Sequence, residues 1–168
     1  MVSFDEMHFI KAGDIMEGSK IVRSLILLLS AVFAGVPAIA SASAIAMHRD
    51  PGCGCCEKWA AQVRRQFGRD VRIVDDADRT AFRRSRGVPP GLVSCHTAVV
   101  DGLAFEGHVP VADMKRALTG RPRGVRGLAV AGMPLGSPGM EVPGARAQAF
   151  DVVAFGPAGQ RVYARHSG

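Results

Sequence analysis

The 168-residue chain is 48% hydrophobic and 21% charged, a balance that fits one globular domain rather than a disordered chain. Its formal charge of +6 comes mostly from arginines scattered along the chain without interleaved aromatics, which argues against a nucleic-acid-binding surface. Aromatics make up 6%, beside 20 glycines and 10 prolines, so the expected core is aliphatic and the chain rich in turns.

Lys20 and Arg23 precede the apolar run Leu25 to Ala34, and small residues follow, which is the layout of a secretory signal peptide. Small-x-small cleavage sites end at Ala40, Ala42 and Ala44. A retained anchor is the competing reading, since Ile21 to Ile39 nearly spans a bilayer if Arg23 snorkels. Asp5, Glu6 and Asp14 are unusual ahead of such a leader, so a start at Met16 gives the cleaner export signal. The expectation is a leader or anchor with an upstream extension over residues 1–44 and an exported, periplasmic domain over 45–168, with membrane contact only if the leader is retained.

Ala44 to His48 reads as a short buried strand ending at the turn Arg49-Asp50-Pro51-Gly52. From Cys56, the spacing of Trp59, Ala60, Val63 and Phe67 predicts a helix that stops at Gly68. Val71 to Val74 is β-branched and alternating, hence a strand; Asp75 to Arg86 then reads as a helix with Asp78 as a cap and Gly87 as its stop. Thr97 to Val100, the turn Asp101-Gly102 and Leu103 to Glu106 form a hairpin. Pro110, Met114, Ala117, Leu118 and Gly120 mark a third helix. Gly124 to Pro143 is expected to be irregular, and Phe150 to Phe155 with Arg161 to Arg165 a second hairpin around Gly156 to Gly159. The predicted class is α/β, and the order βαβ then ββα is that of the thioredoxin fold, with an added C-terminal loop and hairpin.

The four cysteines are Cys53, Cys55, Cys56 and Cys95. A disulfide scaffold spreads its cysteines to close long loops, whereas three of these crowd into one turn, so the cluster argues for chemistry. Thiols at a helix start face unpaired backbone N–H groups and the positive end of the macrodipole, which favour thiolate. A thiolate is both a nucleophile for disulfide exchange and a soft ligand for copper(I). Three features favour the metal. Cys55 supplies a third thiol that exchange does not need, in the pattern CxCC. The stretch Ser94 to Gly102 resembles the glutaredoxin pattern in a register that puts His96 at the usual cis-proline position and Cys95 near the helix start. Met133 and Met140 flank a Gly/Pro tract and offer thioether sulfur.

The motifs PGCGCCEKW (51–59), GVPP (87–90), SCHTAVV (94–100), EGHVP (106–110) and GLAVAGMPLGSPGME (127–141) resemble, in order, those of the CopG-type family of periplasmic copper-resistance proteins, long described as a domain of unknown function. The resemblance covers about Ala44 to Arg165 and implies a thioredoxin-like fold that binds copper through its cysteine cluster, with a redox role in question. The expected ligands of copper(I), in one or several ions, are Cys53, Cys55, Cys56, Cys95, His96, Met133 and Met140. Zinc is the less favoured metal. The alternative is a metal-independent thiol–disulfide oxidoreductase with Cys53 as nucleophile and Cys56 as resolving thiol, these two being catalytic only if the pair is redox active. The expected partners are copper ions and periplasmic copper-handling proteins. His108, just before Pro110, reads first as a helix cap; Met47 and Trp59 read as packing, and the acidic run Asp75 to Asp78 as a solvated cap.

Overall fold

The computed structural model describes residues 44–168, so all of the expected leader except Ala44 lies outside the described residues. Short β-branched and aliphatic runs form β1 (Ile45–Arg49), β2 (Val71–Asp75), β3 (His96–Val100), β4 (Leu103–Glu106), β5 (Gly127–Ala129), β6 (Phe150–Gly156) and β7 (Gly159–His166). The helices are α1 (Gly54–Phe67), α2 (Arg79–Ser85) and α3 (Val111–Gly120), with a single 3-10 turn at Pro90–Leu92. All seven strands share one sheet in the order β2-β1-β3-β4-β5-β6-β7. β1 and β2 are parallel, as a crossover through α1 requires, while β3 runs antiparallel to both β1 and β4. The predicted βαβ unit followed by ββα is therefore formed, and the C-terminal hairpin β6-β7 joins its sheet through β5.

Alternation along the strands divides the core between the two sheet faces. Ile45, Met47, Ala98, Val100, Phe105, Leu128, Val152 and Ala154 pack with Trp59, Ala60 and Val63 of α1 and Met114 and Ala117 of α3. Ala104, Ala129 and Phe155 form a smaller cluster with Val88 and Leu92. Each fully buried large side chain of this kind stabilises the fold by about 1.5–3 kcal/mol. Sharp chain reversals fix the register. Asp101 and Gly102 take φ of 46° and 86°, the left-handed pair that a two-residue hairpin turn needs.

Beyond shifts of a residue or two at strand ends, the structure departs from the sequence expectation in three places. The first helix opens two residues early, at Gly54, which makes Cys53 its N-cap residue. α2 starts at Arg79 because Asp75 stays in β2 opposite Arg49, to which it is bonded at 2.6 Å, while the Asp78 carboxylate accepts from the Thr80 N–H. The tract expected to be irregular contains β5, parallel to β4 and antiparallel to β6. Three residues are too few to carry a period, and only the neighbouring strands make them regular. No helix among the described residues is long and apolar enough to cross a membrane.

Candidate metal centre

Three chain segments converge at the start of α1. The first is the turn after β1. Arg49, the last residue of β1, is buried and donates to the Cys53 carbonyl at 3.0 Å, to Glu57 at 2.8 Å and to Asp75 at 2.6 Å. The bonds to Asp75 and then Glu57 raise its pKa, and the three together tie the helix start to the sheet. No side chain caps α1, so the positive end of its macrodipole faces the cysteines.

Cys53 and Cys56 form a disulfide, and Cys55 and Cys95 are free thiols. The Cys55 sulfur lies 3.4 Å from that of Cys53 and 4.0 Å from that of Cys95, and the Cys95 sulfur is 3.3 Å from that of Cys56. A disulfide sulfur carries no hydrogen, so Cys53 and Cys56 can only accept in these contacts.

The second segment, Ser94 to His96, enters β3. The Asp50 N–H donates to the Cys95 carbonyl at 3.1 Å, and this bond sets Cys95 against the helix start. Cys95 is nearly buried, and burial first, then the neighbouring Cys55, pushes its thiol up to about 12. At this thiol on the facing loop, burial outweighs any pull from the helix macrodipole. His96 is fully buried beneath the tilted ring of Trp59, with its Nδ1 3.6 Å from the Cys95 sulfur and its Nε2 without a hydrogen-bond partner. A buried polar nitrogen without a partner carries a desolvation cost of about 1–3 kcal/mol, which a bound cation would relieve.

The third segment is the tract after β5. His108 Nδ1 lies 2.8 Å from the Pro138 carbonyl, which can only accept, so Nδ1 carries the proton in the neutral ring. The Nε2 lone pair then faces the Cys95 sulfur at 3.1 Å. Gly139 holds this tract on α1. It is buried with φ of 89°, and a Cβ there would lie 2.6 Å from the Cys55 carbonyl and 2.9 Å from the Trp59 nitrogen. The two expected thioethers differ in setting: Met133 is 53% exposed, while Met140 is half-buried and closes the turn by donating from its N–H to the Ser137 carbonyl.

Two overlapping donor sets result, Cys53, Cys55, Cys56 and Cys95, and Cys95, His96 and His108, with ligand atoms within 4.8 Å of one another in each. Cys95 belongs to both. Thiolate sulfur and neutral imidazole are donors that fit copper(I), and hard oxygen is missing from both sets. His108 is the residue that the sequence reading placed elsewhere, as a cap. Its signal was the Asp101-Gly102 turn, which pairs Thr97 with Glu106; counting on two places past the end of that ladder brings Cys95 level with His108, whose ring meets its sulfur.

Burial lowers the pKa of His108 and, with the nearby His108 charge, holds His96 well below the ordinary 6.5. The unfolded chain therefore binds more protons than the native one below that value, so stability is full above about pH 6.5 and declines as the pH falls. The slope is up to about 1.4 kcal/mol per pH unit for each histidine. Glu106, whose pKa is raised by burial, works in the opposite sense, its contribution being present below about 4.5 and lost as the pH rises through its folded value. Thermal melts of the metal-free protein should show a lower midpoint at pH 5 than at pH 7.5, with a smaller difference in His96→Gln; equal differences in the two proteins would contradict this assignment.

A family model described as a protein of unknown function, DUF411, matches residues 92–140. No curated protein matches the chain. Among solved structures, the copper resistance protein CopG in its form 1 is 42% identical with a TM-score of 0.68, the match covering 74% of this chain and 98% of that one. Form 2 is also 42% identical with a TM-score of 0.66, covering 73% of this chain and 97% of that one.

Proposed function

The chain belongs to the family of the copper resistance protein CopG, and from that premise we propose that it binds copper(I) for copper resistance or homeostasis. One observation supports this reading most: the Cys95 sulfur sits within 4.0 Å of the sulfurs of Cys55 and Cys56 and 3.1 Å from His108 Nε2, so soft donors from separate segments meet at one point. Cys53, Cys55, Cys56 and Cys95 would hold the metal, with His96 and His108 behind them and Met133 and Met140 as candidate thioether donors. Bound copper would supply a soft, one-electron centre on these thiolates. Export to the periplasm rests on the leader read in the sequence.

The Cys53–Cys56 disulfide favours a redox step in this function. Two electrons and two protons from a dithiol reductant open the S–S bond to two thiols, and the reductant leaves as its own disulfide. The protein would thus pass between a disulfide form and a thiolate form that takes up metal. The same pair supports the second reading, a metal-independent oxidoreductase in which Cys53 attacks and Cys56 resolves.

Anaerobic titration of the fully reduced protein with copper(I), read by metal analysis after desalting, separates the two. Cys55→Ser and Cys95→Ser should each lower the copper retained and weaken its binding by about 100-fold, since each removes a direct sulfur donor. Unchanged copper binding in both variants, with disulfide exchange that survives copper chelation, would establish the second reading instead.

A further inference from the structure

The sulfurs of this site come from two segments, and a pair of buried charged side chains lies where those segments meet. Arg79, the first residue of α2, is 3% exposed. Its Nε donates to Asp50 Oδ1 at 2.8 Å, three residues before Cys53, and its Nη2 donates to the Ser94 carbonyl at 2.7 Å, one residue before Cys95. One rigid guanidinium fork therefore spans both cysteine-bearing segments.

Glu106, at the end of β4, is fully buried. Its Oε1 accepts from the Ser94 N–H at 2.8 Å and its Oε2 accepts from the Thr97 hydroxyl, so one carboxylate grips both flanks of Cys95-His96. Arg79 Nη1 stands 4.0 Å from Glu106 Oε1 and makes no hydrogen bond. Burying two charges side by side is seldom a net source of stability compared with apolar packing. What the pair does hold is geometry.

Resting on the copper-binding reading, we infer that Arg79 and Glu106 are positioning residues which set the gap between Cys95 and the Cys53 to Cys56 turn. They touch neither the thiols nor the metal. Their influence passes through the backbone of Ser94 to Cys95 and through the carboxylate of Asp50 to the turn before Cys53, and the Arg79 charge also reaches His96. The inference thereby predicts a coupling that a general effect on folding does not.

Arg79→Gln and Glu106→Gln provide the test, the second being isosteric and retaining the fold if the first does not. In the reduced protein, competition with a chromophoric copper(I) chelator should show binding weakened about tenfold by either change, in line with the loss of an outer-shell partner. In the Cys95→Ser background the same changes should have a clearly smaller effect; an equal loss in both backgrounds would overturn the inference. A copper-free arm decides the matter even if the unaltered protein binds no copper(I), which would count against the proposed function alone. With iodoacetamide acting on the disulfide form, Cys95 should be labelled about tenfold faster in the variants while Cys55 keeps its rate, as expected when a buried segment opens locally. Unchanged Cys95 labelling in both variants would overturn the inference whatever the copper result.

Discussion

The disulfide form should bind copper(I) at least about 100-fold more weakly than the reduced form, because two of the four sulfurs are unavailable as thiolates while bonded to each other. The remaining thiols do not compensate. Cys95 is nearly buried and its pKa stands near 12, so metal must displace a tightly held proton there, and Cys55 alone offers a half-exposed free sulfur. Reduction restores two donors at the end of α1 where the macrodipole favours thiolate. Mass spectrometry of samples loaded with copper(I) under nitrogen, with and without prior reduction and removal of the reductant, reads the difference directly. A single serine at Cys53 should abolish it, since the pair can no longer close. Equal loading of the two forms would mean that the disulfide lies outside the copper-binding function.

Gly139→Ala should destabilise the protein by about 3 kcal/mol, from a non-glycine residue at positive φ and from overpacking against α1. The observed φ is 89°, and the added Cβ would meet the Cys55 carbonyl at 2.6 Å, a rigid backbone atom that cannot rotate away. For a domain of this size the midpoint of thermal unfolding should fall by roughly 10 °C. If the tract lifts away instead, limited proteolysis within residues 131–146 should quicken, and His108 should lose its Pro138 partner. Gly144, also at positive φ but with nothing near its missing Cβ, is the control: Gly144→Ala carries the strain without the clash and should cost less.

Much of this architecture was legible because local chemistry and tertiary structure agree. The apolar spacing from Trp59 to Phe67 and the stop at Gly68 gave α1 to within two residues, and Asp101-Gly102 gave both the turn and the pairing of its strands. Four cysteines spread over 43 positions come together because β3, which follows Cys95 directly, lies antiparallel beside β1, after which the other three follow. Other features had no local signature. β5 exists only through its neighbours. Arg79 stood unmarked within the second helix, and Glu106 read as the end of a strand; both are buried in the fold. His108 lay between these cases, hidden by its position before Pro110 although the hairpin register, counted on past Thr97 and Glu106, leads toward Cys95.

Copper K-edge X-ray absorption of the reduced, copper(I)-loaded protein tests the central claim most directly. The account predicts an edge typical of copper(I) and a first shell dominated by sulfur, with sulfur lost and binding weakened when Cys55 and Cys95 are both replaced by serine. A first shell of nitrogen and oxygen, or a sulfur shell that the double replacement leaves unchanged, would contradict it.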